Sequence, residues 1–297
     1  MTADGMAAAQ VDPLLAGESV SGVRGRRSGN LAARIGGGVA ALVVLTALVS
    51  FVWTPYDPTG IDPENLLAGP VTGGHLLGTD NFGSDIASQL MAGARVTLLV
   101  GIVAVAIAGL IGTPLGVLAG MRRGWVGAVV VRAGTILFGF PALLLALLLA
   151  AAFGASTGTA MVAIGVATIP AFLRLSYAAT LQVMASDYIT AARTSGLSGL
   201  QIARRHVLPN ISSVLLVQSS VAFALAILAE AGLSYLGLST RPPTPSWGRM
   251  LHDAQGFLFT DPLLSVWPGL AIAAAVLAFN LLGDGLRDLL DPKLRDR

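Results

Sequence analysis

Long apolar stretches, separated by short polar or glycine-rich segments, dominate the pattern along this chain. Six of them approach the roughly 20 mostly apolar residues that a helix needs to cross the hydrocarbon core of a bilayer. The six stretches are residues 35–53, 96–120, 136–153, 159–177, 211–233 and 263–282. The pattern therefore predicts an all-α polytopic membrane protein with six transmembrane helices.

The polar segments divide the chain further. Residues 1–34 are rich in glycine, alanine and serine, so we expect a mobile cytoplasmic tail there, and 291–297 form a charged second tail. A cleavable signal peptide does not fit, because the first apolar run is too long and no soluble domain follows it. We expect a first helix with its extracytoplasmic loop over 35–95, and five further helices over 96–290 with a cytoplasmic loop at 182–210.

Three connecting segments are more than simple turns. Residues 54–92 and 234–262 mix prolines, glycines and charged side chains, so we expect two outside loops of some size. Residues 126–134 are apolar apart from Arg132, and they predict an amphipathic helix at the membrane interface.

The composition excludes a soluble protein. Of the residues, 54% are hydrophobic and 11% are charged, whereas a soluble domain carries about a quarter charged residues. Much of the surface must therefore face lipid. The absence of cysteine excludes a disulfide framework, a thiolate metal site and a cysteine nucleophile. With so few charged residues, the sequence also does not indicate the basic surface that nucleic-acid binding needs.

The distribution of basic residues predicts the orientation of the chain in the membrane. Placing the two tails and residues 121–134 and 174–210 in the cytoplasm leaves Arg95, Arg241 and Arg249 outside, so that 15 of the 18 lysines and arginines lie inside. This asymmetry follows the positive-inside rule. We therefore expect a multi-pass protein of the inner (cytoplasmic) membrane with both termini in the cytoplasm.

Glycines and prolines within the apolar runs indicate close helix packing and kinks. Gly112, Gly116 and Gly120 repeat every four residues, which lets a neighbouring helix approach closely. Prolines that remove a backbone hydrogen bond lie in or beside four different spans, at Pro114, Pro141, Pro170 and Pro268. Both features are also ordinary in membrane helices.

The cytoplasmic segment 186–210 is polar but patterned. Ser186 or Asp187 can cap the start of a helix, and Gly196 can close that helix. Ser198 can cap a second short helix, which we expect Pro209 to help end. A helix, a glycine turn and a second helix make a structured surface on which a soluble partner could dock.

The side chains of this segment fit such a role. Ala191 and Ala192 are small, so we expect the helix backbone to stay open to close approach. Leu197 and Leu200 place apolar groups near the turn, and Arg193 could pair with an acidic group on the partner.

The same segment resembles the loop that defines the permeases of binding-protein-dependent ABC importers. Their pattern is E-A-A, three residues, G, and then L-P twelve and thirteen residues after the glycine. The matching positions are Ala191, Ala192, Gly196, Leu208 and Pro209. Thr190 stands where the family has its glutamate.

Three further stretches resemble one branch of that family, the C-type permeases of dipeptide and oligopeptide importers. They are H-L-L-G-T-D-N-F-G-S-D at 75–85 with G-A-R at 93–95, E-A-G-L-S-Y-L-G-L at 230–238 with P-P-T-P-S-W-G at 242–248, and F-N-L-L-G-D-G-L-R-D-L-L-D-P at 279–292. The resemblance implies the type I ABC importer permease fold and an importer of di- or oligopeptides.

The resemblance also implies partners. A second homologous permease, two ATPase subunits that bind ATP and Mg²⁺, and an extracytoplasmic peptide-binding protein would complete the transporter in the lipid bilayer. The loop from Thr190 to Pro209 would dock on one ATPase. The chain has no G-x-x-x-x-G-K-[ST] motif, so we expect no cofactor and no catalysis in it, and ATP hydrolysis on another chain.

Other functions fit the residues less well. The cargo could instead be a nickel complex, glutathione or haem. An ion-coupled transporter needs ionisable residues near the membrane midplane, whereas Glu230 and Asp284 lie near the ends of their spans. We expect Glu230 to cap or pair at an interface, or to gate. Ser198 lies in a G-x-S-G sequence like that of rhomboid-type intramembrane proteases, but His206 shares its cytoplasmic loop and gives no membrane-embedded site.

Overall fold

The computed structural model describes residues 24–122 and 124–290, and the regular secondary structure of these residues is helical apart from two isolated β-bridges. The helices are α1 Arg24–Ser50, α2 Ile86–Met121, α3 Trp125–Phe138, α4 Ala142–Phe153, α5 Thr157–Met184, α6 Asp187–Thr194, α7 Gly199–Ile202, α8 Leu208–Tyr235, α9 Trp247–Ala254 and α10 Leu263–Leu290. A π-helical turn at Ala203–Val207 joins α7 to α8. The expected all-α architecture is confirmed.

Five helices of the described ranges are long and apolar enough to cross a membrane, and they coincide with five of the six predicted spans. The expected third span is wrong as a single helix. Residues 136–153 hold the last three residues of α3, the break and α4, and the two helices meet at an angle of 85°. Pro141 lies at the break, where it cannot donate a backbone hydrogen bond and disfavours a helical residue before it.

The first helix begins earlier than the apolar pattern indicates. α1 starts at Arg24, so the last third of the expected tail 1–34 is helical. Residues 1–23 and 291–297 lie outside the described part of the chain. A helix around Arg132 is found, α3, which extends to Phe138; its place at the membrane interface stays a prediction.

Glycines on α2 form a close seam with α5. A Cβ atom added to Gly116 would lie 2.7 Å from the Cβ of Ser176, and one added to Gly120 would lie 2.7 Å from the Cβ of Thr180. Gly112 meets α5 in the same way one turn earlier. Only glycine lets two helix backbones approach this closely, so the predicted stripe is a packing seam.

The outer segment before α2 is anchored to that helix. Asp85 caps α2, because its Oδ2 accepts a hydrogen bond from the backbone N of Ser88 at 2.8 Å. Its Oδ1 lies 3.0 Å from Nδ1 of His75, and both side chains are buried. The backbone N of Tyr56 donates to Ser88 Oγ at 2.9 Å. These contacts fix a compact cap over the outer end of the bundle.

Candidate coupling loop and outer polar cluster

The patterned segment 186–210 folds as a helix, a glycine turn and a second helix. α6 ends in a Schellman motif, in which the N–H of Gly196 donates to the carbonyl of Arg193 at 3.0 Å and that of Leu197 to the carbonyl of Ala192 at 3.1 Å. Gly196 has a φ of +82°, a conformation that favours glycine. Ser186 occupies the cap position of α6, although its side chain makes no capping hydrogen bond.

The second helix begins as expected but does not end as expected. Ser198 and Gln201 form a capping box, with Gln201 Oε1 accepting from the Ser198 backbone N at 2.7 Å. The expected end at Pro209 is wrong, because the chain continues through the π-helical turn and Pro209 lies in the first turn of α8. The first turn of a helix tolerates proline, and the wider π turn before it gives the ring room.

The inner face of this loop packs against the bundle. Ile189, Ile202 and Val207 are at most 2% exposed, and they form an apolar cluster with Val117 of α2 and Ile211 of α8. α6 is therefore held against the inner ends of two long helices rather than projecting freely. A force applied to α6 reaches those helices directly through this cluster.

The two alanines of the motif have different environments. Ala192 is only 9% exposed and belongs to the apolar cluster, so the expectation that both alanines leave the backbone open is wrong for Ala192. Ala191 is exposed. Neighbours on a helix lie about 100° apart, so Ala192 faces the bundle with Ile189 and Ala191 faces away from it.

The exposed face of the loop combines small, polar and apolar groups. Thr190 and Arg193 are exposed beside Ala191, and Leu200 is 70% exposed. The other predicted site residues lie nearby, with Gly196, Leu208 and Pro209 exposed and Leu197 half-buried.

Glu230 lies in a polar cluster at the outer end of α8. Its side chain is fully buried, and its Oε1 accepts a hydrogen bond from Ser234 Oγ at 2.9 Å. Ser234 Oγ lies 3.0 Å from Ser246 Oγ and accepts from the backbone N of Thr240 at 3.2 Å. The buried hydroxyl of Ser239 lies in the same segment. This cluster, Glu230 with Ser234, Ser239, Thr240 and Ser246, joins α8 to the outer loop and to the start of α9.

The two outer segments meet across the bundle. Trp247 Nε1 donates to the carbonyl of Leu90 at 2.9 Å, which joins α9 to α2. Beside this contact lies a cleft of about 280 Å³ whose walls come from both segments, including Phe82 and Thr244. The cleft is a concave outer surface built by the two regions that the sequence places outside.

Asp57, which is exposed, and Asp62, which is half-buried, stabilise the turns that lead into this cleft. The backbone N and hydroxyl of Thr59 hold the pKa of Asp57 below its usual value. The side chain of Asn65 and the backbone N of Glu64 lower the pKa of Asp62. Both carboxylates accept these hydrogen bonds in their ionised form, and the lowered pKa keeps that form to a lower pH than for a free aspartate.

Known proteins show which family has this architecture. The profile described as "Binding-protein-dependent transport system inner membrane component" matches residues 112–296. The chain belongs to this family. The glutathione transport system permease protein GsiD of Pectobacterium atrosepticum is 41% identical over 86% of this chain and 86% of that protein. The dipeptide transport system permease protein DppC of Alkalihalophilus pseudofirmus is 38% identical over 85% of this chain and 83% of that protein.

The fold of this family member also occurs in solved structures. Two structures of the MetNI methionine ABC transporter in inward-facing conformations match it with TM-scores of 0.58 and 0.57. Each covers 68% of this chain and 96% of the matched chain at 19% identity. The likeness establishes the ABC importer permease fold that the sequence predicts.

Sequence reasoning singled out Glu230 in this permease but missed the hydroxyls around it. Ser234 follows Glu230 by four residues, which places both on one helix face, and this spacing could have revealed it. Thr240 and Ser246 lie in the outer loop, and only the folded chain brings them back to α8.

Proposed function

We propose that this permease is one membrane-spanning subunit of an ATP-driven importer that takes up di- or oligopeptides delivered by an extracytoplasmic binding protein. The observation that carries the proposal is the identity of 38–41% to dipeptide, di/tripeptide and glutathione permeases over 85–86% of the chain. Glutathione is a tripeptide, so these cargoes share the peptide group. A nickel complex or haem is the competing cargo.

The assembly follows from what the chain carries. A second homologous permease would complete the path, and two ATPase subunits would bind ATP and Mg²⁺, because this sequence contains no phosphate-binding loop. Closure of the ATPases on ATP would move the permeases from an inward-facing to an outward-facing state. The 15 basic residues assigned to one side support cytoplasmic termini.

In this proposal the exposed face of α6 is the surface that an ATPase engages. Ala191 is small, so a partner can approach the helix backbone, while Arg193 and the exposed Leu200 offer a charge and an apolar contact. The apolar cluster under α6 then transmits the movement to α2 and α8. Thr190, in place of the family's glutamate, offers a hydroxyl at the edge of this face.

Substitution of Ala191 tests the docking surface. Ala191→Trp places a large ring on an exposed position, so the permease should fold and insert but lose ATP hydrolysis stimulated by the binding protein. Ala191→Ser is the matched control and should keep it. Ala192→Trp should instead damage the permease itself, because Ala192 packs in the apolar cluster. Wild-type transport by Ala191→Trp at equal expression would overturn the docking role.

The outer segments are proposed to receive the binding protein. Photo-crosslinkers at Phe82 and Thr244, which are exposed and line the outer cleft, should form adducts with the cognate binding protein. Ser246 is unsuitable because it is fully buried. The absence of adducts in the presence of peptide and ATPase would count against this assignment.

Uptake measurements test the cargo. Cells with and without the gene should be compared for accumulation of labelled dialanine, trialanine, glutathione, nickel and haem. Loss of peptide uptake on deletion, restored by the gene, supports the proposal. If deletion abolished only nickel or haem uptake, the proposed peptide cargo would be wrong, but the assignment to an ABC importer would stand.

A further inference from the structure

The turn between α9 and α10 exposes two large apolar side chains. Phe259 is fully exposed and Leu258 is 48% exposed. A 3₁₀ turn at Gln255–Phe257 precedes them, and α10 begins soon after them at Leu263. The sequence predicts an outside loop over 234–262, and apolar side chains at its tip gain nothing from water. Their surroundings therefore decide what they contact.

The packing of α1 on α10 brings this turn to the end of α1. A Cβ atom added to Gly36 would touch Leu281, and one added to Gly285 would touch Ala33. Contacting residue numbers therefore rise along α1 as they fall along α10, so the two helices are antiparallel. With the same rise per residue in both helices, the last residues of α1 lie beside the first turns of α10. One apolar cluster joins the two ends and includes Ala47, Leu264 and Phe257.

Exposed apolar side chains are grouped at this end of the two helices. The chain directly after α1 exposes three of them, and Val52 is 92% exposed. Single exposed apolar side chains are ordinary, whereas a group of them marks an interaction surface. We call the group the apolar corner, and its members are Phe51, Val52, Trp53, Leu258 and Phe259. It borders exposed Leu48 of α1 and Val266 of α10, two helices that are long and apolar enough to cross a membrane, so it continues the surface that these spans present to lipid.

A cationic side chain at the same corner suits a phospholipid. Arg95 Nε donates to Ser50 Oγ at 2.6 Å, and its guanidinium carbon lies 4.6 Å from the centre of the Phe51 ring. Within residues 24–122 and 124–290 no carboxylate pairs with Arg95, so its other N–H groups are available to a phosphate. Tryptophan is enriched where helices leave the hydrocarbon, and arginine extends its charge to the headgroups there. Trp53 and Arg95 together match that boundary.

The turn uses its polar groups internally. The carbonyl of Phe257 accepts hydrogen bonds from the backbone N of Thr260 at 3.1 Å and from that of Asp261 at 2.7 Å. Oδ1 of Asp261 accepts from the backbone N of Leu263 at 3.3 Å, at the start of α10. Backbone groups near lipid need such internal partners, because water becomes scarce there. The turn can therefore present Leu258 and Phe259 to lipid without exposing these polar groups.

We propose that the apolar corner binds phospholipid, with the tip of the α9–α10 turn entering the headgroup region of the adjacent leaflet. Part of the loop 234–262 is then membrane-bound instead of surrounded by water. α9 lies directly before this turn and contributes Arg249 and Met250 to the cleft between the two outer segments. The corner thus holds one wall of that cleft at a fixed depth. The inference goes beyond the proposed function and does not depend on the cargo.

Spin labels on single cysteines test the corner in the whole transporter, reconstituted in vesicles of phosphatidylethanolamine and phosphatidylglycerol. The chain has no cysteine of its own. Val52→Cys and Phe259→Cys place the label in the corner, and Leu45→Cys places it on the exposed side of α1 as a lipid-facing reference. Thr59→Cys and Thr244→Cys are the matched controls at exposed positions of the two outer segments. Each label is measured for collisions with oxygen, which concentrates in lipid, and with a water-soluble nickel chelate.

The ratio of oxygen to nickel collisions at positions 52 and 259 should exceed that at both controls severalfold and approach that of the reference. Adding the binding protein should leave it unchanged. A ratio at position 259 equal to that of the controls would place the tip in water and overturn the inference. Protection of position 259 from both reagents would assign the corner to a protein partner and would also overturn it. The measurement needs no transport, so a failure of peptide uptake would refute the proposed function alone.

Discussion

Replacing Gly116 with alanine tests the α2–α5 seam around which the bundle is built. The added Cβ would lie 2.7 Å from the Cβ of Ser176 and 2.9 Å from the backbone N of Tyr177. Favourable contacts between such atoms lie at about 3.5–4.0 Å. One of the atoms is backbone, so it cannot rotate away, and α2 must move off α5.

Gly109→Ala is the matched control on the same helix and against the same partner helix. A Cβ at Gly109 would lie 3.7 Å from its nearest neighbour, Cε1 of Phe172, which is an ordinary contact. Both substitutions gain the same roughly 0.5–1 kcal/mol of helix propensity. The difference in the free energy of unfolding between the two variants therefore isolates the steric term, which is about 1–3 kcal/mol for overpacking.

Thermal unfolding of the purified permease in detergent measures this difference. At about 2–4 °C per kcal/mol, Gly116→Ala should melt several degrees below Gly109→Ala, and Gly109→Ala should melt at or above wild type. Equal melting temperatures for the two variants would show that α2 and α5 are not held at the distance described here.

Three further outcomes are expected. Glu230→Leu removes the acceptor of the buried Ser234 hydroxyl and should destabilise the outer loop by about 1–3 kcal/mol. Glu230→Gln keeps an acceptor oxygen, so its outer loop should resist proteolysis better than that of Glu230→Leu. Equal proteolysis of the loop in both variants would contradict this. Gly196→Val should impair coupling through backbone strain alone, since no atom lies near its added Cβ, and Gly196→Asn should be tolerated. An impermeant thiol reagent should label Thr59→Cys and Thr244→Cys from outside, and labelling of Ser198→Cys from outside would refute the orientation.

The spans could be predicted from the sequence because the membrane imposes a length and a polarity on each of them. The break between α3 and α4 could not be predicted, because the number of apolar residues in a stretch does not reveal whether the helix axis changes direction within it. Residues on both sides of the bend are apolar, and Pro141 was one of four prolines with the same signature. The other three lie inside continuous helices, as Pro114 and Pro170 show.

The coupling loop shows how motif and geometry differ. The spacing of its glycine and its capping serine was sufficient to predict α6, the turn and α7, because these contacts join residues a few positions apart. The opposite environments of Ala191 and Ala192 follow from the inward side chain of Ile189, three residues before Ala192 on the same helix face. The helical spacing of Ile189 and Ala192 could be seen in the sequence, but the family motif gives both alanines the same role and does not show that they face in different directions.

α8 connects the two candidate sites, the coupling loop and the Glu230 cluster, and so gives a physical reason why they could act together. Gly199–Tyr235 forms one long helical rod that combines α7, the π-helical turn and α8. The Glu230 cluster fixes one end of the rod, and its other end runs into the coupling loop. If the proposed partners bind as described above, a protein bound at the 234–262 loop and an ATPase closing on α6 would act on the two ends of this rod. The π-helical turn at Ala203–Val207 is the place where its hydrogen-bond ladder is interrupted, so the rod should bend there first. Movement above the turn should be transmitted rigidly, which is what coupling between the two faces of a membrane requires.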